Sequence, residues 1–164
     1  MNITGLKIEF LADHPHWVET LASWHHAEWA HLFDEWTIEV ASIELADHAT
    51  RRSVPTTLVL HEGGQLFGSV SLVIEDAPEL QGEGSPWLAS LYVLPSMRGH
   101  GHGSRLVQAA VALAAEQGVA CLYLFTPDQA AFYERLGWTR RMRTRLHGND
   151  VTLMDIVLPV AHAA

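Results

Sequence analysis

The sequence predicts an α/β fold built on a mixed sheet. Two continuous apolar runs, residues 87–93 and 120–126, have the mark of strands buried on both faces. Between them lie a glycine-rich turn and a helical repeat of apolar residues. Hairpin signals before and after this unit add antiparallel strands. The chain has 164 residues, 48% of them apolar and 18% charged. That is about one domain, taken as residues 1–164, and it excludes a disordered or fibrous chain.

Residues 6–11 read as a short strand. Asp13, His14 and Pro15 then open a helix, with a cap-type residue and proline at its start. Apolar residues at Trp17, Leu21, Trp24 and Leu32 carry it to about residue 33. A second, weaker helix spans residues 37–48, and residues 51–55 break it. Residues 56–60 and 66–74 form strands around the hairpin turn Glu62-Gly63-Gly64-Gln65. Residues 75–86, with two prolines, two glycines and four carboxylates, form a loop. After the strand at 87–93, a helix spans 103–117 and ends at Gly118. The strand at 120–126 leads to a short helix capped by Asp128 and ended at Gly137. Residues 138–146 and 151–158 close the chain as a hairpin around Gly148-Asn149-Asp150.

Lysine and arginine number 10 against 19 aspartates and glutamates, a formal charge of −9. The imbalance is local: residues 1–97 hold 3 cations and 14 anions, and residues 98–164 hold 7 and 5. An acidic chain is a poor general nucleic-acid binder, because phosphate affinity needs clustered cations. Arg141, Arg143 and Arg145 are expected on one solvated strand face, with Trp138, Met142 and Leu146 opposite. Cys121, the one cysteine, reads as core. Histidines 14, 16, 25, 26 and 31 match no zinc spacing, so no metal is expected. The N-terminal stretch lacks the pattern of a signal peptide and no run reaches membrane-helix length. A cytoplasmic protein with no membrane partner is expected.

The most informative segment is Leu91-Tyr92-Val93-Leu94-Pro95-Ser96-Met97-Arg98-Gly99-His100-Gly101-His102-Gly103. A buried strand running into alternating glycines and then a helix gathers backbone N–H groups around an anion. The Walker form fails for lack of its lysine, and the dinucleotide fingerprint fails because Leu106 stands where its third glycine belongs. The pattern R-x-x-G-x-G fits, as Arg98 to Gly103. It resembles the acetyl-CoA pyrophosphate loop of the GNAT family of N-acetyltransferases. The later run Tyr133-Glu134-Arg135-Leu136-Gly137-Trp138 is similar to a second motif of that family. The resemblance is clear over residues 56–158 and looser before them. It implies the GNAT fold, a mixed central sheet whose parallel strands splay apart, flanked by helices.

The resemblance also implies roles. Backbone groups of Leu91, Tyr92 and Val93 would meet the pantetheine arm of acetyl-CoA. Arg98, Gly99, His100, Gly101, His102 and Gly103 would hold its pyrophosphate, and Thr126 would add a lesser contact. Tyr133 would be the general acid, with Phe132 and Leu136 turned to the core on another face of its helix. Some relatives carry a carboxylate or imidazole base on the strand before the loop; residues 87–92 here have neither. The base is therefore sought among His25 and Glu28, one helical turn apart, and Glu75 with its neighbour Asp76; otherwise it acts through water or is not needed. No cysteine or serine stands in a nucleophile motif, so direct transfer in a ternary complex is expected. The acidic first half favours a cationic acceptor, a small amine or a peptide amine. Family members often dimerise, which extends the expectation to a homodimer. The alternative from another class is a non-catalytic acyl-CoA-binding or regulatory module.

Overall fold

A computed structural model describes residues 5–159. Residues 1–4, part of the stretch read for a leader, and residues 160–164 of the proposed domain lie outside the described residues. The main elements are β1 (Lys7–Phe10), α1 (Val18–Trp29), α2 (Ile38–His48), β2 (Thr56–Glu62), β3 (Gln65–Val73), β4 (Trp87–Val93), α3 (His102–Glu116), β5 (Cys121–Thr126), α4 (Ala130–Arg135), β6 (Thr139–Leu146) and β7 (Asn149–Val157). The strands form one sheet in the order β1-β2-β3-β4-β5-β7-β6. Every neighbouring pair is antiparallel except β4 and β5. Among the described residues no helix is long and apolar enough to cross a membrane.

Side chains alternate along β2, so its two faces serve two cores. Leu58 and Leu60 join Val70, Leu72 and Leu88 beneath Leu106, Val107, Ala110 and Ala114 of α3. Val59 faces the other way, into a cluster with Leu21 and Ala22 of α1 and Ala41 and Leu45 of α2. A third cluster, Ala77, Leu80, Trp87, Leu146, Val151 and Leu153, pins the segment between β3 and β4 onto the far half of the sheet.

Several expectations are corrected. The first helix is not continuous from residue 16 to 33. Tight 3-10 turns at Pro15–Trp17 and Ala30–Leu32 flank α1. The second of these buries Leu32, and Phe33 leaves it in an extended conformation. The loop at 75–86 contains a 3-10 turn, Pro78–Glu83. Asp128 does not cap α4; Thr126 Oγ1 instead accepts the N–H of Gln129 at 3.0 Å. Cys121 starts β5 and is half-buried rather than core. Arg141, Arg143 and Arg145 are exposed and Trp138 and Leu146 buried as expected, but Met142 is not turned inward, because β6 lies at the sheet edge and a register shift falls between Arg140 and Met142. Met142 is 40% exposed. Arg141 Nε donates to the buried Asp155 of β7 at 2.5 Å, and Arg140 pairs with Glu134 at 2.8 Å.

The polar residues between the sheet and α1–α2 are partnered. His48 Nδ1 lies 2.9 Å from Thr57 Oγ1, which lies 2.7 Å from Ser71 Oγ. At the outer edge, Glu9 Oε1 is shared by His61 Nε2 at 2.5 Å and His14 Nε2 at 3.1 Å, tying β1 to β2 and to the turn after β1. These residues are far apart in sequence, so spacing rules could not bring them together.

Candidate functional site

The two parallel strands touch at one end only. Trp87 of β4 pairs with Tyr123 of β5, and beyond that point the strands diverge. Gly84 makes the closed end possible: a Cβ there would lie 2.3 Å from the Tyr123 ring. Trp87 Nε1 donates to Gly84 O at 2.9 Å, which fixes the incoming loop. The open end is a cavity of about 890 Å³ bordered by Leu88 to Leu91 and Val93 on one strand and Leu124 to Thr126 on the other.

A bulge shapes the β4 wall. Ser69 pairs with Tyr92 and Ser71 with Ala89, so β4 spends one residue more than β3 over that span. Ser90 sits there at φ 55, a conformation that is costly for a residue with a Cβ. The extra residue lies outside the regular ladder beside the cavity, where backbone groups are available to a ligand.

At the mouth, β4 runs into the glycine loop. Gly99 and Gly101 have φ of 83° and 81°, and a Cβ at either would meet nothing within 4 Å. Glycine is needed here for backbone conformation rather than for space. Gly101 is the cap of α3, so the free N–H groups of the helix's first turn open onto this concavity. His102 is buried against it, and its Nδ1 has no hydrogen-bond partner among the described residues. Burial, with Arg105 and His100 nearby, holds the His102 imidazole below its ordinary pKa.

The expected cofactor residues are unequally placed. Leu91, Val93, Arg98, Gly99, Gly101, His102, Gly103 and Thr126 border the cavity. Tyr92 and His100 do not. The Tyr92 ring is packed between Trp24 and Trp29 of α1, with centroids 5.4 and 6.1 Å away. His100 is exposed. Arg98 is built into the wall: Nε donates to Val93 O at 2.8 Å, the guanidinium lies 5.5 Å from the Tyr92 ring, and Nη2 is 3.7 Å from Glu28 Oε1. The Thr126 hydroxyl is already committed to Gln129.

The acid–base candidates separate in the same way. Tyr133 borders the cavity but is buried, packed edge-on against Phe132 and Trp138 with centroids 5.0 and 6.0 Å away. Phe132 and Leu136 are half-buried and pack against the core as expected, but Tyr133 lies deeper in the same core rather than on a separate face. Burial first, then the charge of Asp76, raises the Tyr133 pKa, so its Oη keeps its proton. His25 and Glu28 do not face one site together. His25 is sealed under the sheet, 2.9 Å from Ser69 Oγ, and desolvation pushes its pKa down to about 3. Glu28 lies at the cavity rim, beside Arg98. Glu75 is exposed and borders a separate cavity of about 120 Å³.

Asp76, one residue on, lines both cavities. Burial, with the like charge of Glu44, pushes its pKa up to about 7. Sequence alone could not separate it from Glu75. The distinguishing signal is that successive residues leaving a strand point to opposite sides, and only the second turns toward the gap.

The Acetyltransferase (GNAT) family matches the chain over residues 18–138. No curated protein matches it in sequence. Several solved structures share the fold. The yncA protein of Salmonella typhimurium, solved with its cofactor acetyl-CoA, is 21% identical with a TM-score of 0.69, over 98% of this chain and 97% of that one. A GNAT-family acetyltransferase from Streptococcus pneumoniae is 20% identical with a TM-score of 0.67, over 94% and 99%. The ribosomal-protein-S18-alanine N-acetyltransferase of Escherichia coli is 18% identical with a TM-score of 0.64, over 97% and 98%.

Proposed function

The chain belongs to the GNAT acetyltransferase family, and on that premise we propose that it transfers acetyl from acetyl-CoA directly to a primary amine, with Asp76 as proton acceptor and Tyr133 as proton donor. The family uses acetyl-CoA as cosubstrate, and the residues present suit it. The open left-handed glycines, the free first turn of α3 and the unpartnered His102 Nδ1 form a cradle for an anion. Gly99 to Gly103 would hold the pyrophosphate, and the bulged wall at Ser90 and Leu91 would hold the pantetheine arm. When bound, acetyl-CoA supplies an acetyl thioester, whose C–S bond is exchanged for an amide C–N bond.

The chain's own work is proton handling and positioning. An ammonium must lose two protons to become an amide nitrogen. Asp76, with its pKa near 7, is a carboxylate able to take the first at neutral pH. Asp76 passes that proton to water; the second leaves the nitrogen of the adduct to water as the C–S bond breaks, while Tyr133 Oη gives its proton to the departing sulfur and regains one from solvent, so that the net change is one proton on sulfur and one released. Burial keeps the Tyr133 hydroxyl protonated at neutral pH, so it holds a proton to give and cannot act as the base. His25 is unsuited to either role, being neutral, buried and tied to Ser69. Glu28 is occupied with Arg98 and steadies the loop.

The observation that carries this reading is the placing of Asp76 and Tyr133 on one cavity between diverging strands, next to an anion cradle. The experiment is thiol release from acetyl-CoA with and without a pool of primary amines. Release that depends on amine supports the reading. Binding of acetyl-CoA without amine-dependent release would favour the non-catalytic acyl-CoA module instead.

A further inference from the structure

The acceptor end of the cleft has walls of one kind. Trp29 closes α1, Phe33 and Trp36 follow in the connection to α2, and Phe125 projects from β5; each is half-buried and borders the cavity. Phe33 stands edge-on to both Trp36 and Phe125, with centroids 5.7 and 6.2 Å away. These rings come from two separate parts of the chain, residues 29–36 and β5. The apolar surface that they do not bury in the core lies against the cavity, and large rings are rarely left so without a ligand.

Two carboxylates share this end. Asp76 and Glu44 both line the cavity, and among the described residues neither forms an ion pair with a lysine, arginine or histidine. The charge of Glu44 disfavours ionisation of Asp76, a cost that a cation placed between them removes. Of the two other carboxylates on the cavity, Glu28 already has Arg98, and Asp128 accepts from Gln129 Nε2 at 3.4 Å.

Resting on the N-acetyltransferase reading above, we propose that the acceptor is an arylalkylamine: a primary ammonium on a short arm from a flat aromatic body, with the ammonium between Asp76 and Glu44 and the ring against Phe33, Trp36 and Phe125. Each other class of amine leaves part of this site unmet. An aliphatic diamine has no flat surface to cover the rings. A free amino acid brings a carboxylate toward two carboxylates. A peptide needs its chain to pass a wall of aromatic side chains. An aromatic ring against these walls also gains edge-to-face contact, and an ammonium over tryptophan gains attraction from the ring quadrupole.

The test compares 2-phenylethylamine, putrescine, phenylalanine and a short lysine peptide as acceptors, by thiol release at saturating acetyl-CoA. The structure predicts a kcat/KM for 2-phenylethylamine about tenfold or more above each of the others. Phe125→Ala should raise the KM for 2-phenylethylamine and leave that for putrescine within about threefold. A diamine, amino acid or peptide matching 2-phenylethylamine overturns the acceptor assignment and leaves acetyl transfer standing. If no amine releases thiol, the N-acetyltransferase reading fails, and tryptophan fluorescence then decides the ligand class. Saturable quenching by 2-phenylethylamine, weakened in Phe125→Ala, supports the aromatic-cation site; no quenching overturns it as well.

Discussion

Replacing Gly101 by alanine or by aspartate separates the backbone's contribution to acetyl-CoA binding from that of charge. Gly101 caps α3 at φ 81° and ψ 7°. A Cβ there meets nothing within 4 Å, so neither side chain clashes. Both impose a left-handed conformation on an ordinary residue, at about 1–2 kcal/mol. That strain is present in free and bound protein alike, so it lowers the melting temperature and leaves affinity nearly alone. Aspartate adds a negative charge where the pyrophosphate is to sit. Two unit charges about 4 Å apart at an effective dielectric of about 20 repel by about 4 kcal/mol. Gly101 is exposed, and halving the repulsion for solvent and salt leaves about 2 kcal/mol, or roughly thirtyfold in Kd. Aspartate tolerates the left-handed region better than most residues with a Cβ, which keeps the variant folded. Calorimetric titration with acetyl-CoA should find Gly101→Ala within about threefold of the parent and Gly101→Asp weaker by roughly thirtyfold. Equal affinities for the two variants would refute the placing of the pyrophosphate at this loop.

Two further outcomes follow from the acid–base pair. Tyr133→Phe removes only a hydroxyl from a packed ring; kcat should fall by about 10- to 10⁴-fold with acetyl-CoA affinity unchanged, and a loss of affinity with kcat intact would make Tyr133 a positioning residue. Asp76 has its pKa raised from 3.8 to about 7, so the folded state holds a proton between those values that the unfolded state releases. The burial penalty on its charge is absent below about pH 4, grows through this window and is complete above pH 7. Asp76→Asn removes it, so differential scanning fluorimetry should show a rise in Tm at pH 8, of order 1–4 kcal/mol in stability, and a smaller rise at pH 5. An equal shift at both pH values would mean that the carboxylate carries no such penalty.

Much of the framework was legible because it depends on local chemistry. β4 falls at residues 87–93 as the apolar run predicts. The loop after it needs left-handed backbone at Gly99 and Gly101, and only glycine serves there without strain. The site's side chains depend on long-range packing, and there the sequence is silent. Tyr133 lies in the same core as Phe132 and Leu136 rather than on a separate face because α4 has only six residues, and Trp138 beyond it draws Tyr133 inward. His25 reads as polar on a helix surface, yet Ser69 on β3 gives it a buried partner 44 residues away. Asp76 and Glu75 are indistinguishable by type, and the turn of the chain after β3 selects between them. The bulge at Ser90 has no glycine to announce it, since Ser90 itself takes the positive φ. The register shift in β6 likewise leaves Met142 exposed on the face expected to be buried, while Arg141, Arg143 and Arg145 are exposed as expected.

Proton transfer from the amine to Asp76 is tested most directly by the pH dependence of kcat/KM for the acceptor at saturating acetyl-CoA, in the parent and in Asp76→Asn. The parent should show a rising limb with an apparent pKa of about 7, followed at higher pH by the limb of the amine itself. In Asp76→Asn the first limb should vanish, the rate below pH 8 should drop by about 10²- to 10⁴-fold, and the amine's own limb should remain. A variant that keeps the limb near pH 7 and the parent's rate would contradict the assignment and leave Glu75 or water as the base.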